Sequence, residues 1–211
     1  LVPVGEKYLF SDYKTLINLG GFANITKMST NNIIAYDICP VNIVFNRLSN
    51  LIEQKYDDKG KIAASGKLNL ELFCHLQSLE YYKLKSPKSL GVEWVNAIIF
   101  PILKEYSGLS VMDLLHTFSN HFAEQISDNI DTNSKVLITG GGAYNDYLIQ
   151  RIKDLTDCKI DIPDSTIIEY KEALIFGFLG VLRDLNINNC YSSVTGAKKD
   201  HCSGKIIIPK I

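Results

Sequence analysis

The chain has 211 residues, a mass of 23.6 kDa, a formal net charge of −1 and a pI of about 6.5. This length can bury one good core, and the near-neutral charge offers neither a basic field for a nucleic-acid backbone nor a polybasic patch for a membrane surface. We therefore expect no nucleic-acid and no membrane partner. The most apolar run, 173–182, is also too short to span a bilayer, which takes roughly 20 residues.

The five cysteines are widely spaced and form no CxxC pair. Reduced thiols in a cytosolic protein fit this pattern best, so we expect a cytoplasmic location. A zinc site built from Cys190, His201 and Cys202 lacks the paired spacing of zinc ligands, and we reject it.

The first part of the chain is predicted to form short strands joined by turns. The expected strands are an edge strand near Leu9-Phe10 and runs at 15–19, 23–28 and 33–36, with a turn at 29–32. Apolar residues then recur at helical spacing from 41 to 52, and Pro40 lies near the start of this predicted helix.

The rest of the chain is predicted to be mainly helical. We expect a polar turn at 57–61, a helix at 69–79, a break at 86–91, a helix at 145–155 and a strand at 160–162. Ser110-x-x-Asp113 is typical of a helix start, and an apolar stripe follows it as far as Ile130. Strands followed by helices and then by strand–helix units predict an α/β fold with a mixed sheet.

The last predicted helix, 169–183, is apolar on nearly every side. A helix with this pattern is expected to be buried, and Gly177 and Gly180 would allow close contact with a neighbouring element.

Two predicted strands run directly into glycines, at Gly20-Gly21 and at Gly140–Gly142. Glycines without Cβ let the backbone approach a flat or anionic group, and the helix start near Asn145 would point its amides at such a ligand. Both motifs therefore indicate a nucleotide site, with a tight turn or a β-bulge as the plain alternative.

Asp37 is the only acid at the end of a strand in this region. A carboxylate there can hold a magnesium-bound water, whereas an isolated Asp is more often a helix N-cap. A P-loop is rejected because Leu68 stands where the motif needs Ser or Thr after its lysine, and no G-x-G-x-x-G supports a Rossmann site.

The order of several motifs identifies a family resemblance. The segments are NLGGFANIT, AYDICPVN, YDDKGKIAASG, PKSLGVEW, LITGGGAYN, KEALIFGFLGVLR and SVTGA. Together they resemble the anhydro-N-acetylmuramic acid kinases of the actin, Hsp70 and sugar-kinase superfold, from Leu1 to about Gly204. The resemblance implies a ribonuclease-H-like mixed sheet with flanking helices, with 1–211 as a single lobe. It also implies that this is the carboxyl-terminal part of a two-lobed kinase whose catalytic aspartate lies upstream of Leu1.

The resemblance further implies an ATP- and Mg²⁺-dependent kinase of 1,6-anhydro-N-acetylmuramic acid in cell-wall sugar recycling. Water would open the anhydro ring, and the freed 6-oxygen would take the γ-phosphoryl group. The implied nucleotide-binding residues are Gly20, Gly21, Asn24, Asp37, Gly140, Gly141, Gly142 and Asn145, with Asp37 also holding the metal through water. Glu172 and Glu93 are implied to face the sugar, against the plain alternatives of a helix-start charge for Glu172 and a helix cap for Glu93.

One segment departs from the family pattern. The family has DTGPGN where this chain has Asp37-Ile-Cys-Pro-Val-Asn42, so backbone approach to phosphate is less free at Cys39 and Val41. Two other functions stay open at this point: an Hsp70- or actin-like nucleotide-binding module without sugar chemistry, and a kinase of another amino sugar. The sequence also leaves the oligomeric state open, a homodimer included.

Overall fold

The computed structural model describes residues 1–29 and 32–207. A five-stranded sheet lies at its centre, in the order β3-β2-β1-β4-β5. The strands are β1 Thr15–Leu19, β2 Phe22–Met28, β3 Ile33–Pro40, β4 Lys135–Thr139 and β5 Lys159–Asp161. The first three strands form an antiparallel meander, while β4 pairs in parallel with β1 and β5 in parallel with β4. The mixed sheet expected from the sequence is confirmed.

Helices connect and cover these strands. They are α1 Val2–Leu9, α2 Asn42–Asn50, α3 Lys61–Ser65, α4 Leu70–Gln77, α5 Glu80–Lys83, α6 Val92–Trp94, α7 Phe100–Glu105, α8 Val111–Ser127, α9 Asp146–Asp154, α10 Ser165–Asp184 and α11 Ser192–Thr195. Short 3₁₀ turns occur at Asp58–Gly60 and Gly141–Tyr144, and a π-helical turn at Val95–Ile99 joins α6 to α7. None of the helices in the described ranges is both long and apolar enough to cross a membrane.

The alternation of side chains along β1 divides the molecule into two sides. Ile17 and Leu19 belong to the main core, whereas Leu16 and Asn18 line a cavity. Successive residues of a strand point to opposite faces, so the main core and the cavity lie on opposite sides of the sheet. One face of the sheet is therefore available for a ligand.

Helix α8 is central to the main core, and its sequence signals are confirmed. The Ser110 hydroxyl accepts a hydrogen bond from the Asp113 N–H at 3.1 Å, which caps the first turn. The apolar stripe is buried at Leu114, Leu115, Phe118, Phe122, Ile126 and Ile130. Each fully buried side chain of this size contributes roughly 1.5–3 kcal/mol relative to exposure, so the stripe attaches α8 firmly to the sheet.

The expected edge strand near Leu9-Phe10 is wrong, because this segment closes helix α1. Pro3 lies in the first turn, where a missing N–H costs nothing, and α1 then packs along α10. A Cβ on Gly5 would lie 2.5 Å from an Ile175 methyl carbon, so the two helices touch closely there. This tertiary contact stabilises a helix where the local sequence pattern suggested a strand.

The expected complete burial of α10 is also wrong. Its buried residues lie on one face, at Lys171, Ile175, Leu179 and Leu182. Tyr170, Leu174, Phe176 and Val181 are exposed, and no atom lies within 4 Å of a Cβ built on Gly177 or Gly180. The helix therefore presents one apolar face to α1 and a second apolar face to its surroundings.

Smaller boundary differences have local causes. Helix α9 begins at Asp146 because the 3₁₀ turn separates the glycines from it, and β5 starts one residue earlier than expected. In the predicted turn at 29–32, the Ser29 N–H donates to the Asn32 carbonyl, while Thr30 and Asn31 lie outside the described residues.

Candidate active site

The two glycine turns lie side by side because β1 and β4 are parallel neighbours that end at the same edge. Gly140 has φ 83° and ψ 167°, a conformation that residues with a Cβ seldom adopt. A Cβ on Gly140 would lie 2.7 Å from Asn18 Oδ1 and 2.9 Å from the Leu19 carbonyl. The absence of a side chain thus lets the second turn sit directly on the end of β1.

The start of α2 completes this edge. The Asn42 amide group donates to the Leu19 carbonyl at 3.2 Å, and the Val41 N–H donates to the Gly21 carbonyl at 2.8 Å. A Cβ on Gly21 itself would meet nothing within 4 Å, which leaves open space in front of the first turn. Three elements therefore converge at one end of the sheet.

A row of polar side chains crosses three strands next to the glycines. Asn18 of β1 pairs with Asn24 of β2, which in turn pairs with Asp37 of β3. Asn18 Nδ2 donates to Asn24 Oδ1 at 3.3 Å, and Asn24 Nδ2 donates to Asp37 Oδ1 at 2.6 Å. The row forms a continuous hydrogen-bonded floor on the cavity side of the sheet.

Asp37 is fixed from several directions. Its Oδ2 accepts the Leu90 N–H at 2.8 Å, and its backbone carbonyl accepts the Tyr81 hydroxyl at 2.6 Å. The alternative interpretation of Asp37 as a helix cap is wrong, since it lies within β3 and α2 begins after Val41 without a side-chain cap. The carboxylate instead ties the loop around Leu90 to the sheet.

A cavity of about 870 Å³ opens above this floor. Its lining includes the predicted residues Gly20, Asn24, Asp37, Gly140 and Glu172. Helix α1, helix α10 and the loop 87–89 form its walls. The sheet edge thus brings five of the ten predicted site residues into one space.

A second cavity of about 660 Å³ lies on the other side of the triple glycine. Gly141 and Asn145 line it, together with Tyr56 and Tyr144, and Ile168 borders both cavities. Consecutive residues Gly140 and Gly141 therefore face different cavities, and the glycine turn is the partition between them.

Asn145 and Gly142 have structural contacts as well. The Asn145 side chain accepts the Leu148 N–H at 3.0 Å and so caps α9. Gly142 is buried, and a Cβ there would lie 2.6 Å from Leu19 Cβ. These two residues hold the turn in place whatever ligand it binds.

The two predicted sugar-facing acids are placed differently. Glu172 on α10 lines the larger cavity and is exposed. Glu93 is exposed in the first turn of α6, and it lines neither cavity. Gly91 is the N-cap residue of α6, so Glu93 is not the helix cap that the plain alternative suggested.

Two further titratable groups stand near the floor. Burial raises the pKa of the Cys39 thiol, which keeps this sulfur neutral and unreactive at the departure from the family pattern. Burial also lowers the pKa of Lys88, whose ammonium lines the larger cavity 4.6 Å from the centre of the Tyr81 ring. Lys88 is therefore a lining residue of the larger cavity whose charged form is disfavoured by burial.

The cavity wall also contains an ion pair that no sequence pattern indicated. Lys171 Nζ of α10 lies 2.7 Å from Glu6 Oε1 of α1, and only 6% and 3% of the two side chains are exposed. Their separation of 165 positions leaves no local signal. The sequence could have indicated Asn18 as a site residue, because it lies on the cavity-facing side of β1, two residues before Gly20.

Metal binding by protein side chains alone has little support. Within the described ranges, no group of three or more His, Cys, Asp or Glu side chains is arranged to hold a metal ion. Asp37 nevertheless fits the way proteins hold Mg²⁺, which uses one or two carboxylates together with substrate phosphates and water.

Comparison with known proteins gives a family. The family model for anhydro-N-acetylmuramic acid kinase matches residues 1–209. The enzyme of that name from Francisella tularensis subsp. novicida is 33% identical, over 98% of this chain and 59% of its own length. The Clostridioides difficile enzyme is also 33% identical, over 98% of this chain and 59% of its own length. A Bacillus cereus enzyme is 30% identical, over 100% of this chain and 61% of its own length. The chain thus spans about 60% of the length of these relatives.

Solved structures confirm the fold expectation of a mixed sheet with flanking helices. The activator of 2-hydroxyisocaproyl-CoA dehydratase from Clostridium difficile, solved with bound ADPNP, matches with a TM-score of 0.51 and 17% identity, over 87% of this chain and 66% of that one. Component A of (R)-2-hydroxyglutaryl-CoA dehydratase from Acidaminococcus fermentans matches with a TM-score of 0.52 and 16% identity, over 82% of this chain and 63% of that one. With the family match and the shared sheet in agreement, this chain belongs to the anhydro-N-acetylmuramic acid kinase family.

Proposed function

We propose that this chain forms one lobe of an ATP-dependent kinase that opens 1,6-anhydro-N-acetylmuramic acid and phosphorylates its 6-oxygen. The observation that carries the proposal is the pair of cavities that meet at Gly140 and Gly141. A nucleotide laid across this partition has room for its base on one side and for its phosphates and an acceptor sugar on the other.

The smaller cavity is the proposed adenosine site. Tyr56 and Tyr144 give it aromatic surface, and Asn145 and Asp58 give it polar groups. Nucleoside sites combine these two kinds of lining, since the base stacks on apolar groups while few polar groups orient it. Gly141 leaves the backbone bare where the ribose would cross.

The larger cavity is the proposed site of phosphoryl transfer. Gly20 of the first turn lines this cavity and leaves backbone open to a phosphate, and Asn24 and Asp37 line the floor beneath. When bound, Mg²⁺ supplies positive charge to the phosphoryl oxygens, and Asp37 would hold it through a water molecule. The Asn24 side-chain amide and the Leu90 N–H hold the Asp37 carboxylate in one orientation, and Asn18 in turn donates to Asn24.

Glu172 is proposed to accept hydrogen bonds from sugar hydroxyls at the mouth of this cavity. The other carboxylates there are engaged: Asp37 accepts from Asn24 and Leu90, Glu6 pairs with Lys171, and Glu169 accepts from the Tyr144 hydroxyl. We therefore assign no general base within residues 1–29 and 32–207 and propose that another part of the kinase supplies it. Positioning and charge stabilisation are then the work of this lobe.

The test is a phosphorylation assay on the complete protein that carries this chain. ATP and 1,6-anhydro-N-acetylmuramic acid should yield ADP and a 6-phosphorylated sugar in equal amounts. Nucleotide binding or hydrolysis with no sugar product would support the module without sugar chemistry. Faster turnover of N-acetylglucosamine than of the anhydro sugar would support the kinase of another amino sugar.

A variant pair tests the role of Asp37. We expect Asp37→Asn to lower kcat roughly 10- to 100-fold with little change in the KM for the sugar, because a carboxylate that acts through a phosphate-bound metal works mainly in the transition state. Asp12→Asn, an exposed acid outside both cavities, is the matched control and should retain the wild-type rate. An unchanged rate in Asp37→Asn at saturating magnesium would leave Asp37 with the structural task of holding the Leu90 loop.

A further inference from the structure

The buried ion pair in the wall of the larger cavity has an unused acceptor. Lys171 Nζ donates to Glu6 Oε1, while Glu6 Oε2 is buried and has no hydrogen-bond partner in residues 1–29 and 32–207. Both side chains line the cavity in which Glu172 and Asp37 also lie. The pair is therefore part of the surface that a ligand in this cavity meets.

Such an arrangement is unfavourable for stability alone. An ionised oxygen without a partner pays the full cost of leaving water, and a buried ion pair seldom repays the desolvation of both its charges. Apolar side chains of similar size would serve at least as well between α1 and α10, where Val4 and Ile175 already pack. Packing therefore does not explain why a buried ion pair with an unpaired carboxylate oxygen occupies this position.

The position of Lys171 on the chain links the pair to the proposed sugar site. Lys171 immediately precedes Glu172 on α10, and both residues line the larger cavity. An ammonium group carries three hydrogens, and in the described structure one of them is given to Glu6. Lys171 can therefore orient the Glu6 carboxylate while Oε2 keeps no hydrogen-bond partner in the described residues.

We infer that Glu6 is a specificity-determining residue whose Oε2 accepts a hydrogen bond from an O–H or N–H group of the sugar, with Lys171 as its positioning residue. This inference rests on the proposed function, since it takes the ligand of the larger cavity to be a sugar. The chemical class required is a neutral donor, such as a ring hydroxyl or the N–H of an acetamido group. A sugar that presents only acceptors at this point would leave the carboxylate unpaired and would bind poorly.

The experiment uses the complete protein with Glu6→Gln and with the double change Glu6→Leu and Lys171→Met. The double variant removes the acceptor and both charges together, so folding should be retained, with thermal unfolding at or above that of the wild type. Glu80→Gln is the matched control, because Glu80 forms a similarly short ion pair with Lys83, 2.6 Å against 2.7 Å, on the exposed surface.

We expect the double variant to raise the KM for the anhydro sugar roughly 10- to 100-fold, the value of a hydrogen bond to a charged group. The KM for ATP should stay within about twofold, since the pair does not line the smaller cavity proposed for adenosine and makes its hydrogen bond within the α1–α10 wall, not to the Asn24–Asp37 floor proposed for the phosphates. Sugar analogues that lack one donor at a time should lose affinity in the wild type, and one of them should lose none in the double variant. A purely structural role would not produce that selective loss.

Two failures are distinguishable. A folded double variant with the wild-type KM for the sugar, in an enzyme that phosphorylates the sugar normally, overturns the assignment of Glu6 alone. A wild-type protein that phosphorylates no anhydro sugar overturns the proposed function, and the assignment of Glu6 with it.

Discussion

The substitution Gly140→Ala tests the central feature of the site, the close contact between the triple glycine and the end of β1. A methyl group at this position would lie 2.7 Å from Asn18 Oδ1 and 2.9 Å from the Leu19 carbonyl carbon and oxygen. The φ of 83° adds a second penalty, because this backbone region is seldom occupied by residues with a Cβ.

The magnitude follows from these two effects. Backbone strain of this kind costs about 1–3 kcal/mol, and forcing an extra methyl group into a packed site costs a similar amount. The Leu19 carbonyl cannot rotate aside, because it also accepts the Asn42 amide. We expect a total of about 3 kcal/mol, which lowers the melting temperature of a chain of this size by roughly 6–12 °C.

The assay is thermal and urea unfolding of Gly140→Ala beside Gly141→Ala. A Cβ on Gly141 meets only Asn42 Nδ2, at an ordinary 3.7 Å, and its φ is not positive. We expect Gly141→Ala to unfold within about 1 kcal/mol of the wild type. Equal stability of the two variants would refute the contact between the turn and β1, and with it the partition between the cavities.

Three further predictions concern stability. Burial lowers the pKa of His121 from 6.5 to about 3, so its neutral form is favoured in the folded state; that stability is present above pH 6.5 and is lost as the pH falls, by roughly 2 kcal/mol at about pH 5. Urea unfolding above pH 6.5 and at about pH 5 should show this loss of stability in the wild type and not in His121→Gln. The same pH dependence in the wild type and in the variant would contradict the prediction. Ser110→Ala should cost about 1 kcal/mol by removing the cap of α8, and a thermal unfolding curve that matches the wild type would show that the cap is dispensable. Ile175→Ala, between α1 and α10, should cost about 2–5 kcal/mol, whereas Leu174→Ala on the exposed face should cost under about 1; similar losses in urea unfolding would contradict the packing of α10.

Sequence patterns were most informative where one local signal and one tertiary contact agree. Helix α8 has its cap at Ser110 and its apolar stripe on a single face, so pattern and packing give the same answer. The turns at Gly20 and Gly140 were predicted because glycine after a strand has a conformational cause that shows in the residues themselves.

Sequence patterns gave a wrong prediction, or none, where the contact that stabilises the structure joins residues far apart in the chain. Helix α1 owes its form to packing on α10, and the outward apolar face of α10 looks identical in sequence to a buried one. Glu6 and Lys171 meet across 165 positions, and no spacing rule brings them together. The division of Gly140 and Gly141 between two cavities likewise depends on the partition that the folded chain creates.

The polar row on the floor of the larger cavity has a direction as well as a position. An ionised carboxylate can only accept hydrogen bonds, so Asp37 turns the NH₂ group of Asn24 toward itself, and Asn24 must then offer its oxygen to Asn18. Asn18 is left with its own oxygen directed at Gly140. One negative charge on β3 thereby sets the polarity of two amide groups on two other strands and decides that the triple glycine faces an acceptor.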